Sequence, residues 1–355
     1  NGIKKSVTLH SMETTIKKPL TGLTLEQLRN VAAECGMPSF AAKQMSQWLY
    51  EKRVTSIDEM TNLSKSARQR LSTDYCIGVT PPKAAAESTD GTVKYLFDGK
   101  GGRDIEAVYI PDKDRATLCV SSQAGCRMGC KFCMTGRQGF HGNLTACDII
   151  NQIMAIPQSR SLTNVVFMGM GEPMDNLPAV LQAIEVLTSP WGLAWSPKRI
   201  TVSTIGKINE MKTLLDTTKV HLAVSLHSPY PEQRASLMPV ERAYHSRDVI
   251  ALLRQYDFAH QRRLSFEYIM WRGVNDSLRD ADALARLLKG LDCRVNLIRF
   301  HAIPDSDLST SSTDTMTAFR DRLNEHGVTA TIRASRGEDI AAACGMLAGK
   351  ARKEQ

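Results

Sequence analysis

From residue 117 onward, short apolar runs alternate with longer amphipathic ones, and that rhythm restricts the fold more than any other feature of the sequence. Residues 117–121, 165–168, 200–204, 221–226, 264–269 and 294–299 read as strands. Between them, 145–155, 177–188, 207–215, 246–255 and 278–289 carry apolar residues at helical spacing. A strand, a helix and another strand form a crossover unit, so the strands run parallel with right-handed connections. Six such units fall short of a closed eight-stranded barrel. The expected class is α/β: a partial (β/α)6 barrel, with an open doubly wound sheet as the alternative. A helix at 314–325, a strand at 328–332 and a final segment at 338–349 close the chain.

In parallel barrels the reactive groups sit on loops at the C-terminal ends of the strands. The loop after the first strand contains Cys126, Cys130 and Cys133, spaced C-x3-C-x2-C. Thiolates this close can wrap one soft metal centre. A cubane cluster takes four ligands, so three leave one iron open for a small molecule to chelate. A structural zinc site with Cys119 as fourth ligand is the plainer alternative, although the chain has no second C-x2-C knuckle. Chance grouping of buried thiols is a third. The cysteines number nine, an odd count with three in one motif, which argues for a reducing compartment and against a disulfide framework.

The other special residues also fall at strand ends. Gly169-Met170-Gly171-Glu172-Pro173 follows the second strand, and Ser203 ends the third. Ser225, Leu226 and His227 end the fourth, and Asn296 lies in the sixth. The barrel topology brings these positions to one mouth. Each alone has a plain explanation: the glycines a tight turn, the serines helix caps, His227 a hydrogen-bonded structural histidine.

Ahead of the barrel, residues 23–80 read as a small helical module. Leu25, Leu28, Val31 and Ala32 fall at helical spacing and Gly36 stops the run. Ser39 is expected to cap a second helix through Tyr50, and Ser64 a third running to about Asp74. Lys43, Lys52, Arg53, Lys65, Arg68 and Arg70 form either a solvated face or an RNA-backbone contact surface. Pro81-Pro82 breaks the chain, and 81–115 reads as a β-hairpin extension with strands at 93–97 and 105–110. The barrel domain spans 116–335 and a C-terminal segment 336–355. Residues 1–22 read as a polar, basic arm, of which 1–11 precede Met12 and read as an extension or a misplaced start. The net charge of +8 suits a polyanionic partner. No run is long and apolar enough to span a membrane, and no secretion signal is evident, so a cytoplasmic protein is expected.

The cysteine spacing resembles the radical S-adenosylmethionine (SAM) superfamily. From about Leu23 to Ala348 the chain resembles one branch of it, the RlmN family of bacterial dual-specificity RNA methyltransferases. The resemblance rests on Gly125 to Cys133, Phe167 to Pro173, Ser225-Leu226-His227-Ser228, Val295 to Arg299 and Ala342-Ala343-Cys344-Gly345, with Cys119 seven residues before Cys126. It implies a [4Fe-4S] cluster on Cys126, Cys130 and Cys133. It implies SAM contacts at Gly171, Glu172, Ser203, Ser225, Leu226, His227 and Asn296, with two SAM consumed per turnover. Cys344 would carry a methyl group, a 5′-deoxyadenosyl radical would take hydrogen from it, and the methylene would add to adenine C2 as a covalent enzyme–RNA adduct. Release would need a proton acceptor, Glu106, and a transient Cys119–Cys344 disulfide. The implied substrates are one adenosine of 23S ribosomal RNA and, in some bacteria, the adenosine 3′ to the tRNA anticodon. The other implied partner is an electron donor such as flavodoxin or ferredoxin, with the enzyme a monomer and its helical module an accessory RNA-binding domain.

Two rival readings stand beside this one. The sister Cfr family methylates adenine C8, confers antibiotic resistance and shares both the Cys119-type and Cys344-type residues. Gly171-Glu172-Pro173 and Gln138-Gly139-Phe140 look more like the C2 branch. The other rival is a non-catalytic RNA-binding protein with a structural metal.

Overall fold

The computed structural model describes residues 17–260 and 262–348; the expected extension before Met12 lies outside them. The N-terminal module comprises β1 (Lys18–Pro19), α1 (Leu25–Glu34), α2 (Ala41–Ser46), α3 (Lys65–Asp74) and β2 (Tyr75–Cys76). Thr24 and Gln27 form a capping box that starts α1, and Ser64 starts α3 by accepting from the Ala67 N–H. The expected Ser39 cap is not made. Phe40 occupies the capping position of α2 and has no side-chain oxygen to offer, and the helix continues as a π turn over Gln47–Lys52. β1 pairs in parallel with β2, which ties residues 18–19 to the far end of the module.

The chain then forms β3 (Ala84–Glu87), β4 (Val93–Asp98), β5 (Asp104–Asp112) and β6 (Arg115–Cys119), an antiparallel meander. The expected hairpin is its β4–β5 pair; β3, an exposed Ala-Ala-Ala-Glu run, gave no strand signal in the sequence. After β6 come β7 (Gln123–Gly125), α4 (Met134–Arg137) and β8 (Phe140–Asn143), with β7 and β8 paired apart from the main sheet. Next are α5 (Ala146–Met154), β9 (Asn164–Phe167), α6 (Leu177–Thr188), β10 (Ile200–Thr204), α7 (Ile208–Thr217) and β11 (His221–Ser225). The remainder is α8 (Pro231–Leu237), α9 (Ser246–Leu253), β12 (Leu264–Met270), α10 (Leu278–Leu288), β13 (Arg294–Arg299), α11 (Thr313–Glu325) and β14 (Thr329–Ile332). The segment that follows, as far as it is described, is a series of turns.

The main sheet has ten strands in the order β14-β13-β12-β11-β10-β9-β6-β5-β4-β3. From β6 to β14 every pair is parallel and the order never reverses. A doubly wound sheet reverses its order at a switch point, so the alternative falls and the barrel segment stands. With β14 it has one parallel strand beyond the six units expected.

Register sorts the side chains into two faces, because bridge partners point the same way. Val165, Phe167, Val202, Leu222, Val224, Phe266 and Val295 are buried in one core with Val180 and Ile184 of α6, Leu214 of α7 and Leu284 of α10. Burying each such side chain is worth about 1.5–3 kcal/mol, so this packing fixes the register. The alternate residues form connected rows on the opposite face. One row is Val108–Cys119–Val166–Thr201–His221. Others are Ser203–Ala223–Ser265–Arg294 and Ser225–Glu267–Asn296–Thr331. This face is small, polar and partly open to solvent, and it forms the lumen.

Candidate active site

The cluster loop is held at its neck by the β7–β8 pair and by the Cys126 N–H, which donates to the Gly139 carbonyl at 2.8 Å. Gly125 is required there: its φ is +72° and an added Cβ would stand 1.9 Å from the Gly139 oxygen. Past the neck, Phe132 meets His227 edge-on at 4.9 Å and Trp271 at 5.1 Å between ring centroids. With Ile205, Leu237 and Met238, Phe132 and Trp271 form a second apolar cluster, separate from the main core, at the C-terminal ends of the strands.

Cys126 and Cys130 are buried and Cys133 is half-buried. Burial pushes the Cys126 thiol up to about 12 and raises Cys130 as well, and each feels the charge of Cys133. Buried thiols of this kind ionise only against a cation, which suits three soft ligands and leaves one position open. Among the described residues no three His, Cys, Asp or Glu side chains converge on a single ion. Thiolates on separate irons of a cubane need not converge so closely. Cys119 senses Cys344 instead of the cluster cysteines: burial first and the Cys344 charge second push its thiol up to about 12. Among the described residues no metal-binding group that includes Cys119 is assembled, which leaves the four-thiol zinc arrangement without support.

The strand ends bring three of the expected SAM contacts together. Ser203, Ser225 and Asn296 lie half-buried on the lumen face. Asn296 donates from Nδ2 to Glu267 at 2.7 Å and accepts at Oδ1 from Thr331 at 3.3 Å. Gly171 passes close against Gln123, with φ of +97° and an added Cβ 2.5 Å from the Gln123 Cβ. The remaining side chains are engaged elsewhere. Glu172 accepts from the Met174 N–H at 3.2 Å and the Ile205 N–H at 3.1 Å, and burial pushes it up to about 7. Leu226 is buried in the main core. His227 accepts at Nδ1 from the Ile269 N–H at 3.0 Å, and burial and then Arg234 lower its pKa to about 3, so it is a neutral ring with its proton on Nε2. Their main-chain atoms, not their side chains, are what they can offer a ligand.

The C-terminal segment docks across this mouth. The Met134 N–H donates to the Gly345 carbonyl at 2.8 Å and Thr135 Oγ1 to the Leu347 carbonyl at 2.6 Å. Cys344, just before the first of these anchors, is reached by solvent yet surrounded by protein, as in a concave mouth. Its thiol is raised by desolvation first and then by Glu267, is lowered by Arg333, and also feels Cys133. Glu106, on β5, is buried on the same sheet face as Cys119. Its carboxylate pairs with Lys94 at 3.3 Å and accepts from the Ala348 N–H at 2.9 Å. Nine free thiols are present and no disulfide joins Cys119 to Cys344.

Three polar residues of the site escaped the sequence reading. Glu267 accepts from Ser265 at 3.0 Å as well as from Asn296, and its signal was a lone charge in the apolar strand Leu264–Met270. Arg234 lies beneath the cluster loop, paired with Glu241 and donating to the carbonyls of Ile205, Ser225 and Leu226 at 2.8–3.1 Å. Gln123 accepts from the Glu172 N–H at 2.9 Å. Of the six basic residues of the helical module, Lys43, Lys52, Lys65 and Arg70 are exposed. Arg53 bonds Ser159 of the barrel domain at 2.8 Å, and Arg68 bonds the Leu63 carbonyl at 2.7 Å.

Comparison with known proteins agrees with this geometry. The family model of the ribosomal RNA large subunit methyltransferase N-terminal domain matches residues 18–77, and that of the radical SAM superfamily matches 120–287. A "Probable dual-specificity RNA methyltransferase RlmN" of Parabacteroides distasonis is 60% identical over 331 residues, covering 93% of this chain and 96% of the relative. The dual-specificity RNA methyltransferase RlmN of Syntrophus aciditrophicus is 42% identical over 337 residues, 94% of this chain and 97% of the relative. Among solved structures, a radical SAM methyltransferase from Sphaerobacter thermophilus superposes with a TM-score of 0.86 at 40% identity, over 93% of this chain and 98% of that one. The chain belongs to the RlmN family of radical SAM RNA methyltransferases.

Proposed function

We propose that this enzyme methylates C2 of a specific adenosine in 23S ribosomal RNA, and of the adenosine 3′ to the anticodon in some tRNAs, with Cys344 as methyl carrier. The observation that carries the reading is the position of Cys344: its neighbour Gly345 accepts from the Met134 N–H at 2.8 Å, which ties the turn of Cys344 to the turn of Cys133. A carrier must visit the methyl source and then the resolving thiol, and a turn tied to the cluster loop suits the first of these.

Cys126, Cys130 and Cys133 would hold a [4Fe-4S] cluster. Ser203, Ser225 and Asn296, with the main chain of Gly171, Glu172, Leu226 and His227, would line the SAM site. When bound, these groups supply a methyl group and then one-electron hydrogen abstraction, with two SAM per turnover and electrons from a flavodoxin or ferredoxin. The Cys344 thiol loses its proton and takes the methyl by displacement. After one hydrogen is removed, that carbon bonds to adenine C2, a position with no lone pair for ordinary methyl transfer. Glu106 would take the proton from C2 as the adduct's unpaired electron returns to the one-electron carrier that supplied it. The Cys119 thiolate then attacks the Cys344 sulfur. An S–S bond forms and the S–CH2 bond breaks, its electron pair going to carbon, which takes a proton to become the methyl. A thiol reductant restores the two cysteines. The adenosine must be unstacked to enter the lumen, and the exposed Lys43, Lys52, Lys65 and Arg70 would contact RNA phosphates.

The test is anaerobic turnover of reconstituted protein with unmethylated 23S RNA, followed by digestion to nucleosides and mass spectrometry against 2-methyl- and 8-methyladenosine. A 2-methyl product is expected. An 8-methyl product would move the chain to the resistance branch with the same cysteines, and no methylated adenosine from protein with an intact cluster would sink the substrate assignment.

A further inference from the structure

Lys94 has no part in the chemistry above, yet it touches two of its working pieces. It lies on β4 opposite Val108, on the sheet face that carries Glu106 and Cys119. Its Nζ stands 3.3 Å from Glu106 Oε1 and 3.2 Å from the Ala341 carbonyl. The other carboxylate oxygen, Oε2, accepts from the Ala348 N–H at 2.9 Å. Ala341 and Ala348 flank Cys344, so one ion pair grips both ends of the segment that carries the thiol. Glu106 is 5% exposed, and a pair this far from water is less screened than a surface pair.

Among the described residues, the charged or titratable groups on this face beside Glu106 are Lys94 of β4, the Cys119 thiol of β6 and, two residues along, Asp104 and Asp98, which share Lys83 at 3.1 and 3.3 Å. Met170, after β9, presents a thioether 3.4 Å from the Glu106 N–H. From the Cys344 segment the Ala348 amide donates to Glu106 at 2.9 Å. Lys83 is taken up by the two aspartates, and Lys94 is the cation paired with Glu106.

We propose that Lys94 is a positioning residue that makes the Cys344 segment a latch governed by the charge on Glu106. The proposal rests on the reading of Glu106 as the proton acceptor. While Glu106 is a carboxylate, Lys94 and Ala348 hold the segment closed with Cys344 against the cluster loop. The proton taken from adenine C2 passes to the carboxylate and neutralises it, and no electron moves in this step. The attraction to Lys94 is lost and the hydrogen bond from Ala348 weakens. The segment comes free when the Cys344 sulfur must turn to Cys119.

The test is hydrogen–deuterium exchange of the full-length protein without RNA, comparing Lys94→Met, Lys94→Arg and Glu106→Gln with the parent. Amides of residues 342–348 are expected to exchange about tenfold faster in Lys94→Met and Glu106→Gln. Lys94→Arg, which can still bridge Glu106 and Ala341, is expected to restore protection, and exchange in β10 and β11 is expected to stay unchanged as the control for folding. Parent-like exchange at 342–348 in Lys94→Met, or an equal acceleration in Lys94→Arg, overturns the latch. Should Lys94→Met fail to fold, Glu106→Gln and Lys94→Arg decide the matter on the same amides. Loss of the latch is expected to lower kcat with KM for RNA unchanged. The underlying reading is tested separately: if Glu106→Gln still yields methylated RNA at the parental rate, Glu106 is not the proton acceptor, whatever the exchange data show.

Discussion

The N–H of Met134 donates to the carbonyl of Gly345 at 2.8 Å. Met134 follows Cys133 and Gly345 follows Cys344, so the turn bearing Cys133 is fastened directly to the turn bearing Cys344. Thr135 and Leu347 add a second hydrogen bond one turn further on. Two stretches far apart in sequence thus form one working surface.

Replacing Cys344, the proposed methyl carrier, tests that surface first. Cys344→Ala is expected to abolish RNA methylation while the reconstituted protein keeps its brown colour and charge-transfer absorption, because the cluster ligands are elsewhere. Retained methylation would remove Cys344 from the chemistry, and a colourless protein would mean that the segment helps to hold the cluster.

Cys119→Ala removes the thiol proposed to resolve the adduct. The adduct then has no route to release, and a covalent protein–RNA species is expected to accumulate on denaturing gels during turnover. Recovery of only free, unmodified RNA would count against that role.

The barrel was legible because its strands are short apolar runs whose helix-facing side chains, such as Val165, Phe167, Val202 and Leu222, lie in one core. Cys126, Cys130 and Cys133 were legible because their signal is local spacing. Cys344 carries no local signal, and only resemblance to a family singled it out. The Lys94–Glu106–Ala348 arrangement depends on the β4–β5 register and on where the C-terminal segment docks, and periodicity reports neither. Ser39 misled because a good capping residue one position too early loses to the helix start that packing selects. The turn at Gln47–Lys52 winds as a π helix, which propensity does not encode.

The pair beneath the cluster loop should be costly to break. Arg234 is 1% exposed, pairs with Glu241 and bonds the carbonyls that end β10 and β11. Arg234→Met strands the buried Glu241 carboxylate, and a loss of about 3–5 kcal/mol is expected in urea denaturation. A loss under about 1 kcal/mol would mean that the carbonyls and carboxylate find other partners.

His227 predicts an acid-side loss of stability. Its folded pKa, near 3, lies below its ordinary value of 6.5. The unfolded chain binds this proton first, so stability is full above about pH 6.5 and falls as the pH drops toward 3. Below pH 6 the contribution is about 1.4 kcal/mol per pH unit. His227→Gln should flatten the pH dependence by that amount, while His221, also lowered, to about 4, continues to contribute. An unchanged slope in the variant would mean that the ring is protonated in the fold.

The central claim is that the methyl carbon reaches adenine by way of Cys344 and loses one of its hydrogens on the way. The most direct measurement is turnover with methyl-deuterated SAM and unmethylated 23S RNA, counting deuterium in the methyladenosine released. Transfer through a carbon that gives up one hydrogen predicts a 2-methyladenosine with two deuteriums from the donor. A product retaining all three would mean intact methyl transfer and would contradict the account.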